Sequence, residues 1–491
     1  MKKFSKALSL TLATMLSLSM VACGGGNSND LTGGDGLVLK EQANATKQVV
    51  FEYLQAGFGN NPYIAVANAY MEKNPDVQVV LVPNREIVST TATALATNTG
   101  ISDIYSYPYG DVLKTWYTNG WLEDLTGLCN EQTQDGRTML ESMTGNASKA
   151  INIKDKIYAV PEYTSLTGFV YNVEVFENYG WKIPTTTKEL GDLCEQILKD
   201  TNGKMAPINW CSDADGYLYF AAESWISQYE GIANMNKFHE YASPEVYALE
   251  DNDAGSIFTA KKLALENLQK FFLPMNEGGY AHNDSRELHN QPAQYNIIDG
   301  SCAMMLNGSW FVNEMDMYLK ETPAKLGMFA VPEMSDEMGN VLHGDGYTTE
   351  NGKRVITADY GAYYFIPSAS INKAEAKDFL LYLSSEEACA IYTQYSNAVR
   401  PFIYDVSESS ALYGKMDDFG KSILKMADTH YLYAAVSTNE LTLKGKGGLW
   451  PRGNRVESEI MASRDGDALT LLTKDYNFAK ENWQTWMDLI K

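Results

Sequence analysis

The side chains that most often carry out catalysis are few and widely spaced in this chain. There are five histidines: His239, His282, His289, His343 and His430. None of them forms an H-x-x-x-H pair, and the sequence has neither a G-x-S-x-G element nor a phosphate-binding P-loop. The 62 acidic residues offer many carboxylate pairs, so acid–base hydrolysis of a glycoside stays open. The motifs therefore predict no catalytic residue and no cofactor.

The cysteines and one acidic loop do not have the spacing of a metal site. Apart from Cys23, there are five cysteines without a C-x-x-C pair: Cys129, Cys194, Cys211, Cys302 and Cys389. Their irregular spacing indicates neither a zinc site nor a disulfide framework, although one or two disulfides stay open. The stretch DNDAG at 251–255 lacks the spacing and the distal glutamate of a calcium loop. No metal is expected.

The overall charge excludes two kinds of partner. The chain has 39 basic and 62 acidic residues, which gives a formal charge of −23. Removing a leader that contains Lys2, Lys3 and Lys6 and no acidic residue leaves the mature chain near −26. Such an acidic balance argues against binding to nucleic acid and against adsorption to anionic lipid. Any membrane attachment is therefore expected to be covalent.

The first 22 residues are typical of an export signal. Three lysines precede an apolar run at 7–22 that is short for a membrane span, and a cysteine follows it. Met20-Val21-Ala22-Cys23 resembles the lipobox of bacterial lipoproteins, in which the cysteine is diacylated and becomes the mature N-terminus. The alternative is an ordinary secretory signal cut near Ala22. Residues 23–47 are rich in Gly, Asn, Asp and Thr, which predicts a flexible tether after the signal at 1–22.

Alternating strand and helix patterns must position whatever site the chain has. Residues 49–54 read as a strand, 61–71 as a helix with apolar side chains at helical spacing, and 77–82 as a second strand. A strand–helix–strand crossover implies a parallel sheet. Further helices are predicted to begin at Thr186 and Asn372, with both side chains as caps. The fold class is therefore α/β, and the length allows two or three cores.

Four segments, in order along the chain, carry a family resemblance. The first is SDIY at 102–105 with GWLEDL at 120–125, and the second is KIYAVP at 156–161 with YN at 171–172 and IPTT at 183–186. The third is DGSCAM at 299–304 with NGSW at 307–310, and the fourth is the helical stretch 374–387, which ends in SSEE. Together they resemble the carbohydrate-type extracellular solute-binding proteins of bacterial ABC importers, the group that includes maltose-binding protein.

The resemblance implies two α/β lobes, each with a mainly parallel sheet, joined by a hinge, with the ligand in the cleft between them. Lobe 1 would comprise 48–162 and 361–399, and lobe 2 would comprise 163–360 and 400–491. The resemblance further implies a monomer that binds a carbohydrate, with an oligosaccharide expected. Hinge closure would capture this ligand outside the membrane for the permease subunits of the importer.

A carbohydrate has apolar C–H faces and a belt of hydroxyls, so its site needs flat aromatic rings and fixed donors and acceptors. The chain has 31 tyrosines and 9 tryptophans. Trp310 is the first candidate because it ends the matched G-x-W element. The other candidates follow predicted strands, lie at the expected crossovers or stand in glycine-rich loops: Phe58, Tyr107, Glu162, Tyr163, Trp210, Asp213, Tyr360, Arg400 and Trp450.

Several alternatives stay open at this point. Each aromatic candidate could belong to a core, and Glu162 could bind the hinge backbone. Arg400 and Arg452 would favour an acidic sugar if they faced the ligand, whereas pairing with local carboxylates is the commoner role. The competing function is that of an exported carbohydrate-active hydrolase or lyase, and a third is that of a lipoprotein that only scaffolds cell-wall proteins.

Overall fold

The computed structural model describes residues 31–490 except 109, 111, 134, 151, 154, 350–351, 435–440, 442–445, 454–455 and 463–465. The signal sequence and Cys23 lie outside the described residues. The described strands are β1 (Lys47–Leu54), β2 (Val77–Asn84), β3 (Ile104–Tyr107), β4 (Asn152–Ile153), β5 (Lys156–Ile157), β6 (Val160–Asn172), β7 (Ala206–Asn209), β8 (Cys302–Gly308), β9 (Leu326–Phe329), β10 (Arg354–Phe365) and β11 (His430–Tyr433).

The helices lie between these strands and in the C-terminal part. They are α1 (Asn61–Lys73), α2 (Ile87–Thr97), α3 (Leu113–Thr118), α4 (Thr126–Cys129), α5 (Met139–Ser142), α6 (Ala147–Ala150), α7 (Val173–Tyr179), α8 (Thr187–Asp200), α9 (Leu218–Phe238), α10 (Phe258–Phe272), α11 (Asn290–Ile298), α12 (Phe311–Glu314), α13 (Asp316–Glu321), α14 (Lys373–Leu383), α15 (Glu386–Ser396), α16 (Asp418–Thr429), α17 (Val456–Met461) and α18 (Ala468–Leu489). Over the described part of the chain, no helix combines the length and the apolar character that a bilayer span requires.

The opening β1–α1–β2 unit has the predicted order and pairing. β1 pairs in parallel with β2 along eight residues and with β3 on its other side. Pro62 stands in the first turn of α1, where its missing N–H costs nothing, and Tyr63, Val66, Tyr70 and Met71 are buried beneath the helix. The predicted α/β class is confirmed for this unit and for the alternating elements that follow.

Two long strands, β6 and β10, run through the whole molecule and are called the through-strands below. The sheet order is β2-β1-β3-β10-β6-β8-β7, with β9 added to β6 and β11 added to β10. Residues 160–166 of β6 pair with 358–364 of β10, whereas 167–172 of β6 pair with β8 and β9. The two predicted sheets are thus the two ends of one mixed sheet, and the through-strands join them.

The pairing between the through-strands is irregular at one point. The register shifts between Tyr360 and Ala362 and again between Ala362 and Tyr363, which leaves Gly361 out of the ladder. A β-bulge of this kind bends and twists a strand locally. This bend lies at the junction of the two ends of the sheet.

Residues 31–47 are ordered, which corrects the prediction of a flexible tether up to residue 47. The Leu39 side chain is only 4% exposed and belongs to the core cluster that includes Val49 and Ile64. The backbone around it is held by Asn68 on α1, which accepts a hydrogen bond from Lys40 N and donates one to Val38 O. Burial of a leucine and pairing of the backbone outweigh the glycine-rich composition.

The cysteines have the role of small buried side chains. Cys129, Cys194, Cys211, Cys302 and Cys389 are all buried free thiols. The disulfides that the sequence left open do not form between these five. The described residues also contain no group of three or more His, Cys, Asp or Glu side chains arranged for a metal ion.

Candidate ligand-binding cleft

The candidate site lies where the through-strands pass between the two ends of the sheet. Phe58, on the loop after β1, meets Tyr163 of β6 edge to face, with ring centroids 4.9 Å apart. The Tyr163 ring lies directly on Gly361, where a Cβ atom would come within 2.1 Å of the ring. Only glycine fits at the bulge, because any larger residue would displace the aromatic ring.

A second aromatic group comes from the other end of the sheet. Trp310 follows β8, and its ring packs edge to face against Tyr217 and Phe220, with centroids 5.8 Å and 6.1 Å away. The indole covers Gly308, where a Cβ atom would lie 2.3 Å from the ring. Trp310, Tyr217 and Phe220 are all half-buried, so each keeps part of its ring accessible.

The two aromatic groups are neighbours across the junction. A Cβ atom on Gly57, the residue before Phe58, would lie 3.2 Å from Trp310 Cβ and 3.2 Å from Glu314 Oε1. The loop after β1 therefore closes on the start of α12. Such loops at the carboxyl ends of strands are where α/β sheets bind ligands.

Two carboxyl groups lie on β10 and α9, the elements that carry Gly361 and follow Tyr217. Asp359 of β10 is exposed, although protein surrounds it closely enough for lost hydration to raise the pKa of its carboxyl. Glu223 on α9 is 2% exposed, and the Tyr219 hydroxyl lies beside its carboxyl. Burial raises the pKa of Glu223 well above its usual range, and the charges of Asp359 and Glu457 add to the rise. Glu223 therefore acts inside the protein, whereas the exposed Asp359 is the carboxyl that a ligand could reach.

Polar side chains also lie next to Trp310. Gln294 on α11 donates a hydrogen bond of 2.9 Å to Glu314 Oε2, which holds this exposed carboxylate beside the tryptophan. Burial raises the pKa of Tyr217 to about 12, and the charge of Glu314 adds to this rise. The Tyr217 hydroxyl therefore stays protonated at neutral pH and can donate.

Four of the sequence-predicted residues lie at this junction. Phe58, Tyr163 and Trp310 form the contacts above, and Tyr360 lies on β10 next to Asp359. The Tyr360 ring is half-buried and lies 6.5 Å from that of Tyr363. The structure brings Phe58, Tyr163 and Trp310 close together, whereas the Tyr360 ring meets Tyr363, and contact of the four with a ligand stays a prediction.

Arg400 is a core residue, so the prediction that it faces the ligand is wrong. Its side chain is 2% exposed, donates hydrogen bonds to Tyr364 Oη at 2.8 Å and Leu383 O at 3.0 Å, and stacks on Tyr392. Glu162 is fully buried in the same cluster and accepts a hydrogen bond from Ser106. Burial raises the pKa of Glu162, and the charge of Arg400 opposes that rise. A buried arginine needs a carboxylate nearby, so both side chains act inside the protein.

Three aromatic candidates also belong to cores. Tyr107 is 2% exposed and packs edge to face on Trp116. Trp210 and Trp450 are buried, and their indole N–H groups donate to Phe272 O and Glu457 Oε1. These rings have no accessible face for a ligand. Burying a large apolar surface is worth more here than leaving it at the end of a strand.

Two further charged candidates are paired on the protein itself. Asp213 lies in an exposed turn before α9 and is 3.2 Å from His289 Nδ1. Arg452 donates two hydrogen bonds of 3.0 Å to Glu459 and also pairs with Asp475. Neither arginine that suggested an acidic sugar is available in the cleft.

Sequence reasoning missed the residues that α9 contributes. Tyr217, Tyr219, Phe220 and Glu223 lie at the start of this helix, and Asp359 lies one residue before a predicted one. A run of three aromatic residues within four positions, at a helix start, was the available signal. It was not decisive, because the same run also suits a core.

A profile of a bacterial extracellular solute-binding protein family matches residues 65–417. The chain belongs to this family. Among curated proteins, this solute-binding protein is 22% identical over 400 residues to the multiple sugar-binding protein of Streptococcus mutans. The alignment covers 77% of this chain and 83% of that relative. Family membership rests on the match over most of the chain.

Solved structures show the same fold. The solute-binding protein matches the apo form of RafE from Streptococcus pneumoniae with a TM-score of 0.64 and 16% identity, covering 89% of this chain and 98% of that one. RafE in complex with raffinose matches with a TM-score of 0.59 and 17% identity, over 88% and 99% of the two chains. The predicted two-lobed fold is therefore confirmed.

Proposed function

We propose that this solute-binding protein binds a carbohydrate in the cleft between its lobes and delivers it to the permease subunits of an ABC importer. The observation that carries the proposal is the pair of half-buried aromatic groups at the junction, Phe58 with Tyr163 and Trp310 with Tyr217. Asp359 lies on β10 two residues before Gly361, which the Tyr163 ring covers. Aromatic rings stack on the apolar faces of a sugar, and carboxylates accept bonds from its hydroxyls. The multiple sugar-binding protein and the raffinose complex of RafE support this ligand class.

The charges around the cleft favour a neutral ligand. Asp359 and Glu314 are exposed carboxylates there, whereas Arg400 and Arg452 are paired inside the protein. An acidic sugar would meet like charge without a compensating cation. We therefore propose a neutral carbohydrate, with an oligosaccharide rather than a monosaccharide.

Closure would take place at the through-strands. β6 pairs with β10 up to Leu166 and with β8 from Thr167 onwards. β10 carries the bulge at Gly361, so both strands can bend at the junction. The lobes would comprise 48–162 with 361–399 and 163–360 with 400–491. Arg400 lies in the core beside Tyr364, which supports a last crossing slightly later than residue 400.

Binding without turnover and a lipid anchor complete the proposal. The protein would be exported, monomeric and acylated at Cys23, on the outer face of the cell membrane. Family membership supports capture over catalysis, because the family consists of solute-binding proteins.

Thermal unfolding of the mature protein against a panel of sugars tests this function. A ligand at 100 times its dissociation constant should add about 2.7 kcal/mol to stability. Neutral oligosaccharides should raise the midpoint, whereas uronic acids of the same length should not. The bound sugar should be recovered intact after incubation. Cleaved sugar, or a panel without any shift, would contradict the proposal.

A further inference from the structure

The chain continues to residue 491, whereas the match to the family profile ends at residue 417. One part of this continuation packs against an element of the candidate cleft, and we call it the C-terminal brace. It comprises residues 449–453 and helix α17 (Val456–Met461). The helix buries three apolar side chains almost completely: Val456, Ile460 and Met461.

Contacts with the rest of the protein hold both ends of α17. Near its start, Glu457 accepts a hydrogen bond of 2.5 Å from the indole N–H of Trp450. At its end, Met461 O accepts one of 2.7 Å from Arg286. The helix therefore presents its remaining side chains in fixed positions.

One of these side chains binds the turn that precedes α9. Ser458 donates a hydrogen bond of 2.6 Å from its Oγ atom to Asp215 Oδ2, which lies 243 residues earlier in the chain. Asp215 belongs to the turn Ser212–Tyr217, and α9 follows it directly. A hydroxyl that donates to a carboxylate at this distance forms one of the stronger hydrogen bonds in proteins.

The turn ends in an aromatic residue of the candidate cleft. Tyr217 stands two residues after Asp215, and its ring packs edge to face on Trp310 with centroids 5.8 Å apart. The turn is not a rigid extension of α9, because the backbone of Ala214 departs from helical geometry with φ −124° and ψ 31°. Contacts from outside the turn therefore determine where Tyr217 stands.

The start of the turn has another contact, in which Asp213 lies 3.2 Å from His289 Nδ1. Both of these side chains are exposed, so water competes with their pairing. Asp215 and Ser458 are half-buried, and Asp215 is closer to Tyr217 along the chain. We therefore expect the Ser458 hydrogen bond to have the larger effect on the position of that ring.

We propose that Ser458 is a positioning residue for the carbohydrate site, and that the C-terminal brace contributes to affinity by holding Tyr217 against Trp310. This inference rests on the proposed carbohydrate function. A ring that is held in place before binding does not have to be ordered by the ligand, so less binding free energy is lost. Removing the Ser458 hydroxyl should leave the fold intact, because both partners are half-buried and water can replace the bond.

Amide hydrogen exchange of the ligand-free mature protein tests the first step. Ser458→Ala should speed exchange in peptides that cover the turn at 212–217, whereas peptides over β8 should exchange as in the wild type. Ser458→Thr keeps the hydroxyl and should behave like the wild type at both places. Unchanged exchange at 212–217 in Ser458→Ala overturns the proposal without reference to any sugar.

Calorimetric titration tests the second step, with raffinose and the other neutral oligosaccharides of the thermal screen as probes. Ser458→Ala should weaken binding about 2- to 30-fold, which is the range for residues that act through others. Ser458→Thr should keep the wild-type affinity. Ile460→Val in the same helix is the matched control, because loss of a buried methyl group should lower the unfolding midpoint and leave the affinity unchanged.

A double-mutant cycle shows whether Ser458 acts through Tyr217. Once Tyr217→Ala has removed the ring, adding Ser458→Ala should cause no further loss of affinity. Fully additive losses, or wild-type affinity in Ser458→Ala despite faster exchange of the turn, overturn the positioning role alone. A mature protein that binds no sugar of the screen overturns the proposed function and the positioning role with it, while hydrogen exchange still decides whether the brace holds the turn.

Discussion

At the scale of single residues, the tryptophans differ in what their indole N–H groups meet. Trp210 donates to a backbone carbonyl and Trp450 to a carboxylate, and both rings are buried. Trp310 is half-buried, and the Tyr217 hydroxyl lies close to its indole N–H without forming a well-aligned hydrogen bond. A ligand hydroxyl that accepts from this N–H would therefore add a hydrogen bond.

Replacing Trp310 with alanine should weaken carbohydrate binding with little effect on folding. The lost ring removes a stacking surface, which is worth about 1 to 3 kcal/mol, or roughly 5- to 150-fold in affinity. Calorimetric titration with the sugar found by the screen measures this loss.

The core residue Trp210 provides the matched control. Trp210→Ala should lower the free energy of unfolding by about 3 to 5 kcal/mol, whereas the unfolding midpoint of ligand-free Trp310→Ala should barely move. Unchanged affinity in a stably folded Trp310→Ala protein would remove this residue from the site.

At the scale of elements, a buried lysine joins α10 to the C-terminal part of the chain. Lys261 donates a 2.7 Å hydrogen bond to Leu449 O, and its ammonium lies within 4.6 to 5.1 Å of the ring centroids of Phe238, Tyr247 and Trp450. Burial lowers the pKa of Lys261 to about 7, although the charges of Asp475 and Glu457 oppose this. The aromatic rings stabilise the cation only in part.

The low pKa of Lys261 predicts that stability rises with pH. Between about pH 7 and 10.5 the unfolded chain holds the lysine proton and the native state does not, so raising the pH favours the native state. The slope from this group is at most about 1.4 kcal/mol per pH unit. Denaturant unfolding of the mature protein between pH 7 and 10 measures it.

A neighbouring lysine serves as the control for this pH effect. Lys261→Met should lose the extra slope, whereas Lys262→Met should keep it, because Lys262 is solvent-accessible and forms a surface pair with Glu266. Identical slopes in the wild type and in Lys261→Met would show that Lys261 is protonated in the native state throughout this range.

Single elements also show how far local patterns are reliable. The apolar stripe predicted for the helix after Asn372 is buried in α14, at Ala376, Phe379, Leu380 and Leu383. Asn372 stands at the predicted N-cap position, but its side chain donates to Asp103 Oδ2 and makes no capping hydrogen bond to the helix. Periodicity depends on residues in one helix, whereas the partner of a cap residue depends on what else lies nearby.

At the scale of the whole molecule, the proposed lipid anchor and the candidate cleft are separate. Residues 38–42 bind α1 and β2, whereas the cleft residues lie on the through-strands, on the loops after β1 and β8, and at the start of α9. Loss of an anchor at Cys23 should therefore leave the site unchanged.

Cys23→Ala should accordingly release the protein from membranes without changing its affinity. Fractionation of cells should move the variant from the membrane pellet to the soluble fraction, and titration with the same sugar should give the wild-type dissociation constant. A variant that stays in the pellet would contradict acylation, and a variant with altered affinity would contradict the separation of anchor and cleft.

The amino-acid sequence by itself determined the α/β class, the order of the early strands and helices, the family, and four of the residues at the junction. Those features come from signals within a few residues, such as periodicity, Pro62 in a first turn and ordered motifs. Only the tertiary structure decided that Arg400 meets Tyr364, that Tyr163 covers Gly361, and that the predicted tether docks on Asn68. These contacts join residues far apart in sequence, and which of two plausible roles a side chain takes depends on burial and partners that packing alone supplies.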